Sequence, residues 1–278
     1  MSRGAIIIPV YNRRITTLAC LRHLRAMGDL EAFTIIVVDD GSTDGTAEAV
    51  RAEFPEIDIL RGDGNLWWTG AITRGMSSAI AAGADAVCWL NDDCLPAEGT
   101  LRLLLDTAFT PPGQVVTAAC YDKATGALVP NAFIGRERVE VTPETDQAAE
   151  GLSGFCVAMS VAVWSRIGPP DAAQFPHYYG DNAYTLRAAR AGFRVRVLGA
   201  ARAELIDHRE LPTLAALRDP NASWLTNWCR MFVSPKSPYR LRTLFAFQRL
   251  KYGSMRGNAN ACARACHWFI KAYISGQR

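Results

Sequence analysis

The first hundred residues alternate short apolar runs with amphipathic stretches, and that order restricts the chain to a sheet of parallel strands linked by helices. Ala5–Val10, Phe33–Val38, Ile57–Leu60 and Ala86–Leu90 are runs of four to six mostly β-branched or apolar residues. Runs of that length without polar alternation are strands buried on both faces. Between them, the stretch from Thr16 to Met27 spaces Leu18, Leu21 and Leu24 for one helical face and interleaves Arg22 and Arg25. Thr46–Glu53 and Thr69–Ala82 follow as helices, the first preceded by the capping residues Ser42-Thr43-Asp44. The expected fold class is α/β: a doubly wound, mostly parallel sheet with flanking helices. Ligands of such sheets gather at the carboxyl ends of the strands.

Beyond residue 100 the pattern loosens. Leu101–Phe109 reads as a helix, Val115–Cys120 as a strand, Asp181–Ala191 as a helix and Phe193–Leu198 as a strand, with Phe155–Val163 apolar and residues 121–151 mixed around the turn Thr125-Gly126. From Leu214 the pattern is helical, broken at Pro235 and Pro238, with Gly253 and Gly257 as further breaks. Charge divides at the same place. Residues 1–208 hold 18 Lys/Arg against 25 Asp/Glu, and residues 209–278 hold 12 against 2. The basic tail interleaves Arg230, Arg242, Arg249, Lys251, Arg264 and Lys271 with Trp224, Trp228, Phe232, Phe245, Phe247, Trp268, Phe269 and Tyr273. That composition suits an interfacial helical segment at a membrane, or helices packed on the body or on a second copy. No run of about 20 apolar residues occurs. The chain enters its first strand within a few residues, without a secretory pattern. The eight irregularly spaced cysteines are therefore expected to be reduced thiols in the cytoplasm. Cys262, Cys266 and His267 lie close enough for a metal site, but no second ligand pair accompanies them.

Three polar motifs interrupt the apolar pattern at strand ends. Asp39-Asp40 followed by Gly41-Ser42-Thr43-Asp44-Gly45 brings two carboxylates and a loop that permits close backbone approach; Asp40 and Ser42 serve equally as caps of the next helix. Asn91-Asp92-Asp93 closes the fourth strand. Adjacent carboxylates repel each other, a hard divalent cation relieves that repulsion and also binds diphosphate oxygens, and the plainer reading is a solvated turn before Pro96. Asp181 follows the aromatic run Phe175-Pro176-His177-Tyr178-Tyr179-Gly180 at a helix start. There it is a general base with an aromatic surround, an N-cap, or both.

Together these motifs resemble the family 2 glycosyltransferases, inverting enzymes with a GT-A fold. The resemblance runs over residues 5–208 and rests on Ile8-Pro9-Val10-Tyr11-Asn12, Val38-Asp39-Asp40-Gly41-Ser42-Thr43-Asp44, Asn91-Asp92-Asp93, and Gly180-Asp181 with Leu186-Arg187. The run Gly64-Asn65-Leu66-Trp67-Trp68 is further similar to a bacterial rhamnosyltransferase-like subgroup. The resemblance implies a catalytic domain over 1–208, its nucleotide-binding half about 1–100 and its acceptor half about 101–208, with 209–278 as a basic helical extension. It implies nucleotide binding by Pro9, Tyr11, Asn12, Asp39, Asp40, Asn65, Arg74, Asn91 and Asp92. Asp39 is the carboxylate opposite N3–H of uracil or thymine, a charge-assisted bond that cytosine does not offer. Mg²⁺ or Mn²⁺ is implied at Asp93, with His208 as a second ligand or a structural histidine. Asp181 is implied as catalytic base, and Trp67, Trp68, Gly154, Phe155 and His177 as sugar contacts. Two positions depart from the family pattern: Asn91 replaces an aspartate, and Gly180 replaces the acidic neighbour of Asp181. The expected reaction moves a sugar from a UDP- or dTDP-sugar to a hydroxyl on a saccharide or lipid-linked acceptor, with peripheral contact at the inner face of the membrane or a homodimer through the tail. A nicotinamide dehydrogenase and a sugar-phosphate nucleotidyltransferase are disfavoured, because no glycine-rich phosphate loop follows the first strand. A non-catalytic nucleotide-sugar-binding scaffold stays open.

Overall fold

The computed structural model describes residues 3–111, 113–207 and 211–273. Four strands, β1 (Gly4–Val10), β2 (Thr34–Asp39), β3 (Asp58–Arg61) and β4 (Ala86–Leu90), form its parallel half. β1 lies between β2 and β4, and β3 pairs with the far side of β2. The period of two along β1 explains why its apolar run is continuous. Ile6 and Ile8 enter a core with Leu21, Leu24, Val37 and Leu104, while Ile7 points the other way, among Ile36, Val38, Ile72, Met76 and Trp89. Both faces are covered by helices, so every position of the strand except Pro9 is buried, each large aliphatic side chain contributing about 1.5–3 kcal/mol. The register sets Val10 beside Asp39, and Asp39 beside Arg61. The strand-end motifs therefore reach one edge together.

Helices Arg14–Ala26, Thr46–Glu53 and Trp67–Ala81 lie near their expected bounds. The expected cap run before Thr46 works through one residue. Gly45 takes the N-cap position at φ 80°, and Asp44 accepts from Thr46 N at 3.0 Å and from Arg14 N at 2.9 Å, so it ties two helix starts together.

The second half of the sheet departs from a wholly parallel pattern. Strand Cys156–Ser160 runs antiparallel to both β4 and strand Gln114–Asp122. Its Cys156 pairs with Leu90, which returns the preceding loop to the edge where β4 ends. Strand Arg194–Leu205 then runs parallel to Gln114–Asp122. It is twice the length expected, because its register shifts between Leu198 and Arg202 and the small run Gly199-Ala200-Ala201 hides the continuation. Residues 121–151 supply short edge pieces, including a small sheet of Ala132–Ile134, Glu137–Arg138 and Gly151–Leu152.

The extension is helical: Leu214–Leu217, Trp224–Trp228, a π turn Cys229–Val233, then Leu241–Tyr252 and Ser254–Tyr273. Gly253 breaks the last two helices as expected, at φ 78°. Gly257 does not break anything. It lies inside the last helix, where a Cβ would come within 2.5 Å of the Gln248 carbonyl oxygen, so glycine there lets the two helices touch. Among the described residues all eight cysteines are free, and no group of three or more His, Cys, Asp or Glu side chains is placed to hold a metal, Cys262, Cys266 and His267 included. Among the described residues no helix is long and apolar enough to cross a membrane.

Candidate active site

At the carboxyl edge of β1, β2 and β4 lies a cleft of about 440 Å³, lined by Pro9, Tyr11, Arg13, Asp40, Trp67, Trp68, Asn91, Asp92, Asp93, His177, Tyr178 and Lys236 among others. Its rim is built on strained backbone. Asn12, Trp67 and Tyr179 are the non-glycine residues at positive φ among those described; Asn12 and Tyr179 lie in loops at this site and Trp67 is the first residue of the helix that follows one. Such conformations persist only where neighbours over-determine them. Here the restraints are visible. Asn12 N donates to Ser42 Oγ at 2.8 Å and Asn12 Oδ1 accepts from Thr43 N at 2.7 Å, which joins the first loop to the second. Asp40 accepts from Gly64 N, Leu66 N and Trp67 N at 2.9–3.1 Å and so holds the turn into the helix that starts at Trp67. Asp39 is buried and accepts from Ser42 N at 2.8 Å. Both carboxylates thus build the loops, Asp40 also lining the cleft.

The acidic cluster carries its own cation. Arg13 Nε lies 3.0 Å from Asp92 Oδ1 and its Nη2 lies 2.9 Å from Asp93 Oδ2. Thr17 Oγ1 donates to Asp92 at 2.9 Å. Asp92 is buried, and desolvation pushes its carboxyl up to about 6 against the pull of Arg13. Asp93 is more open, its side chain 20% exposed. The guanidinium stands where a cation is called for, so the donor set suits a hard divalent ion. Such an ion takes one or two carboxylates from protein and completes its shell with water and substrate phosphates. His208 lies outside the described residues. Asn91 holds the neighbouring loops together. Its Oδ1 accepts from Trp68 Nε1 at 2.9 Å, and its backbone N donates to Phe155 O at 2.9 Å.

Trp67 and Trp68 open a helix, where successive residues are about 100° apart. Both therefore line the cleft. Trp68 also packs edge-on against buried Trp89, with ring centroids 5.4 Å apart, and Trp67 faces His177 at 6.2 Å. Behind Trp68 lies Asp181. Tyr179, not Asp181, takes the N-cap position of helix Gly180–Arg190, and Asp181 sits in its first turn. Its oxygens accept from Gly154 N and Asn182 N, both at 2.7 Å, and desolvation raises its pKa. A Cβ on Gly154 would stand 2.5 Å from the Trp68 ring and 3.1 Å from Asp181 Cβ, so Gly154 is the point where Asp181 and the tryptophan meet. Asp181 itself is a layer behind the cleft lining. Gly180 is also explained. A Cβ there would lie 2.0 Å from Thr69 Oγ1, leaving no room for the family's acidic side chain.

Asn65 and Arg74 are exposed and lie outside the cleft lining, Arg74 pointing to solvent farther along the helix. Two residues absent from the sequence expectations belong to the site. Arg13 follows Asn12 directly, and a cation shortly after the first strand is the available signal. Lys236 comes from the extension. Its Nζ sits 5.4 Å from the Trp67 ring and 5.9 Å from the Tyr11 ring, at the mouth of the cleft. Nothing in its local sequence marks it except a turn between Pro235 and Pro238.

Solved structures share this fold. GalNAc-T7 with UDP, GalNAc and Mn²⁺ aligns with a TM-score of 0.59 at 13% identity, over 99% of this chain and 57% of that one. Staphylococcus aureus TarS aligns at 0.57 and 18% identity, over 97% and 80% of the two chains. The mannosyltransferase PcManGT from Pyrobaculum calidifontis, solved with GDP-Man and Mn²⁺, aligns at 0.55 and 16% identity, over 98% and 69%. These likenesses establish the GT-A fold. Among curated proteins, the glycosyltransferases AglE and AglD of Haloferax volcanii are 26% and 27% identical over 200 and 212 residues, which is 68% and 69% of this chain. The matches span 62% of the length of AglE and 31% of that of AglD. The model of glycosyl transferase family 2 matches residues 5–152, more than half of the chain and both acidic strand ends. The chain belongs to glycosyl transferase family 2.

Proposed function

We propose that the chain moves a glycosyl group from a nucleoside-diphosphate sugar to an acceptor hydroxyl with inversion at the anomeric carbon. The observation that carries the reading is convergence at one sheet edge: the Arg13–Asp92–Asp93 cluster lines a cleft whose Trp68 wall touches the loop bonded to Asp181. The base and ribose lie over Pro9, Tyr11 and Asp39. Asp39 spends one oxygen on Ser42 N, and the other is the acceptor for N3–H of a uridine or thymidine donor. Asp93, with Asp92 beside it, would hold Mg²⁺ or Mn²⁺, which when bound offsets charge on the departing diphosphate. Arg13 and Lys236 add fixed positive charge on the same side. Trp67, Trp68 and His177 enclose the sugar and exclude water. Asp181 takes the proton of the acceptor hydroxyl as that oxygen attacks from the face opposite the leaving group. Desolvation raises its proton affinity toward the working range of a base. The acceptor is a saccharide or a lipid-linked saccharide, as in cell-surface polysaccharide synthesis.

The fold accommodates different bases, with UDP in one structural neighbour and GDP-mannose in another. The donor is therefore found by screening UDP-, dTDP- (dTDP-rhamnose included) and GDP-sugars by thermal shift with Mn²⁺ and then assaying turnover. Asp181→Asn keeps donor affinity within about threefold and lowers turnover by about 10²–10⁴. Near-normal turnover in that variant sinks the base assignment. One observation favours a second reading, a non-catalytic binder: both Asp181 oxygens are already engaged by backbone amides. Donor binding without turnover by the unaltered chain across the whole panel selects that reading.

A further inference from the structure

The extension presents an apolar stripe that no part of the described chain covers. Leu225 is 62% exposed, Trp224 61% and Val233 54%, and Cys229 between them is exposed as well. The opposite face of the same segment is core. Met231 and Phe232 are buried, and Trp228 and Phe232 pack against Phe269 with ring centroids 5.0 and 4.8 Å apart. Secondary structure keeps the stripe straight. Trp224–Trp228 is α-helical and Cys229–Val233 is a π turn. Four residues overshoot one α turn and undershoot one π turn, so the two errors cancel and Leu225, Cys229 and Val233 stay on one side. The stripe leads to the cleft. Val233 is three residues before Lys236, within about 11 Å along the chain, and Lys236 lies at the cleft mouth.

Charge decides what covers such a face. Residues 211–273 carry ten Lys/Arg and one acidic residue, Asp219, which is itself paired with Arg230 at 3.4 Å. A second copy docked face to face would oppose cation to cation. A surface of anionic lipid is attracted, by about fivefold in affinity for each nearby Lys or Arg. Exposed leucine, valine and tryptophan in an extension this rich in cations, with Arg230 and Lys236 close in sequence, are the composition of a segment that lies in a lipid headgroup layer. We propose that the segment Trp224–Val233 docks this protein on an anionic lipid surface and thereby brings the mouth of the cleft to that surface. That the lipid carries the acceptor rests on the transferase reading; the docking itself does not.

The test uses the full chain without donor or acceptor, so its failure leaves the transferase reading standing. The protein is sedimented with vesicles of phosphatidylcholine alone, or of phosphatidylcholine mixed with phosphatidylglycerol. It pellets with the mixed vesicles and stays in solution with the neutral ones. Leu225→Asp and Val233→Asp, both at exposed positions, each lower vesicle affinity by about tenfold or more while the unfolding curve and nucleotide binding stay unchanged. Absence of binding to the mixed vesicles overturns the proposal. Binding that ignores both substitutions overturns it too, because another surface then makes the contact. A dimer in light scattering that Leu225→Asp dissociates assigns the stripe to a second copy instead.

Discussion

Arg13 sets one guanidinium against two carboxylates, and that geometry makes it a competitor for whatever cation the site takes. A divalent ion and the guanidinium cannot both neutralise Asp93. Metal entering alone must displace Arg13, whereas a donor diphosphate offers Arg13 a new anion. Arg13→Gln therefore tightens Mn²⁺ binding severalfold in the absence of nucleotide and weakens binding of the nucleoside diphosphate. Calorimetric titration at pH about 8, where Asp92 stays ionised, measures both. Equal Mn²⁺ affinity in the two proteins removes the competition. Away from the site, Asp29 is 4% exposed, its Oδ2 has no hydrogen-bond partner among the described residues, and burial pushes it up to about 6. The unfolded value is about 3.9. The folded state thus holds the proton more tightly, and Asp29 costs stability as pH rises from about 4 through about 6, with no further change above. The stability gain of Asp29→Asn over the parent grows across that window by on the order of 2 kcal/mol and then levels off. Denaturant titrations at several pH values read it, and a difference that stays flat with pH refutes the assignment.

Elements with a strong local signal are legible in the sequence, and those set by tertiary contact are not. β1, β2 and β4 are buried on both faces, so their apolar runs are unbroken, and helix Thr46–Glu53 has the bounds its sequence implies. Local pattern reveals the strand from Arg194 to Leu205 only as far as Leu198, since its bulge interrupts the period of two. Asp39, Asp40, Asp92, Asp93 and Asp181 stand out as carboxylates at strand ends or a helix start. Which of them build loops and which face the cleft depends on backbone amides brought from distant residues, such as Gly64 and Gly154. Gly180 is the sharpest instance. In sequence it is a missing acid, and in the fold it is the point where helix Gly180–Arg190 meets helix Trp67–Ala81 at Thr69. Gly180→Ala forces those helix starts apart and costs about 1–3 kcal/mol, or roughly 2–12 °C in melting temperature for a chain of this size. Thr69 Oγ1 is buried without a hydrogen-bond partner among the described residues, so Thr69→Ala alone costs little on that account. Combined with Gly180→Ala it restores much of the loss, and a double-mutant cycle that shows no coupling contradicts the contact.

At the scale of the whole molecule, the basic extension is part of the body it follows. Phe247 lies 4.7 Å from the Tyr179 ring and 6.4 Å from the Phe133 ring, and shares a core with Phe175, Ala183 and Leu186. Thr243 Oγ1 donates to Gln174 O at 2.9 Å, and Arg190 donates to Lys251 O at 2.9 Å. Tyr179 is the strained residue shortly before Asp181, so the extension packs on the turn that aims the proposed base. A boundary at residue 208, natural from charge and composition, therefore cuts through a shared core. A chain ending at residue 208 exposes Phe175 and Leu186, loses Lys236 from the cleft and frees Tyr179 from its packing. Burying one such side chain is worth about 1.5–3 kcal/mol, and a typical domain has only about 5–15 kcal/mol in hand. The shortened chain is expected to aggregate, or to melt at least about 5 °C below the full chain, with weaker binding of whichever nucleotide the donor screen identifies. Calorimetry and nucleotide titration decide it. A 1–208 fragment that melts and binds as the full chain does would make the extension a separate unit, and would leave its cations free to serve a surface without any bearing on the cleft.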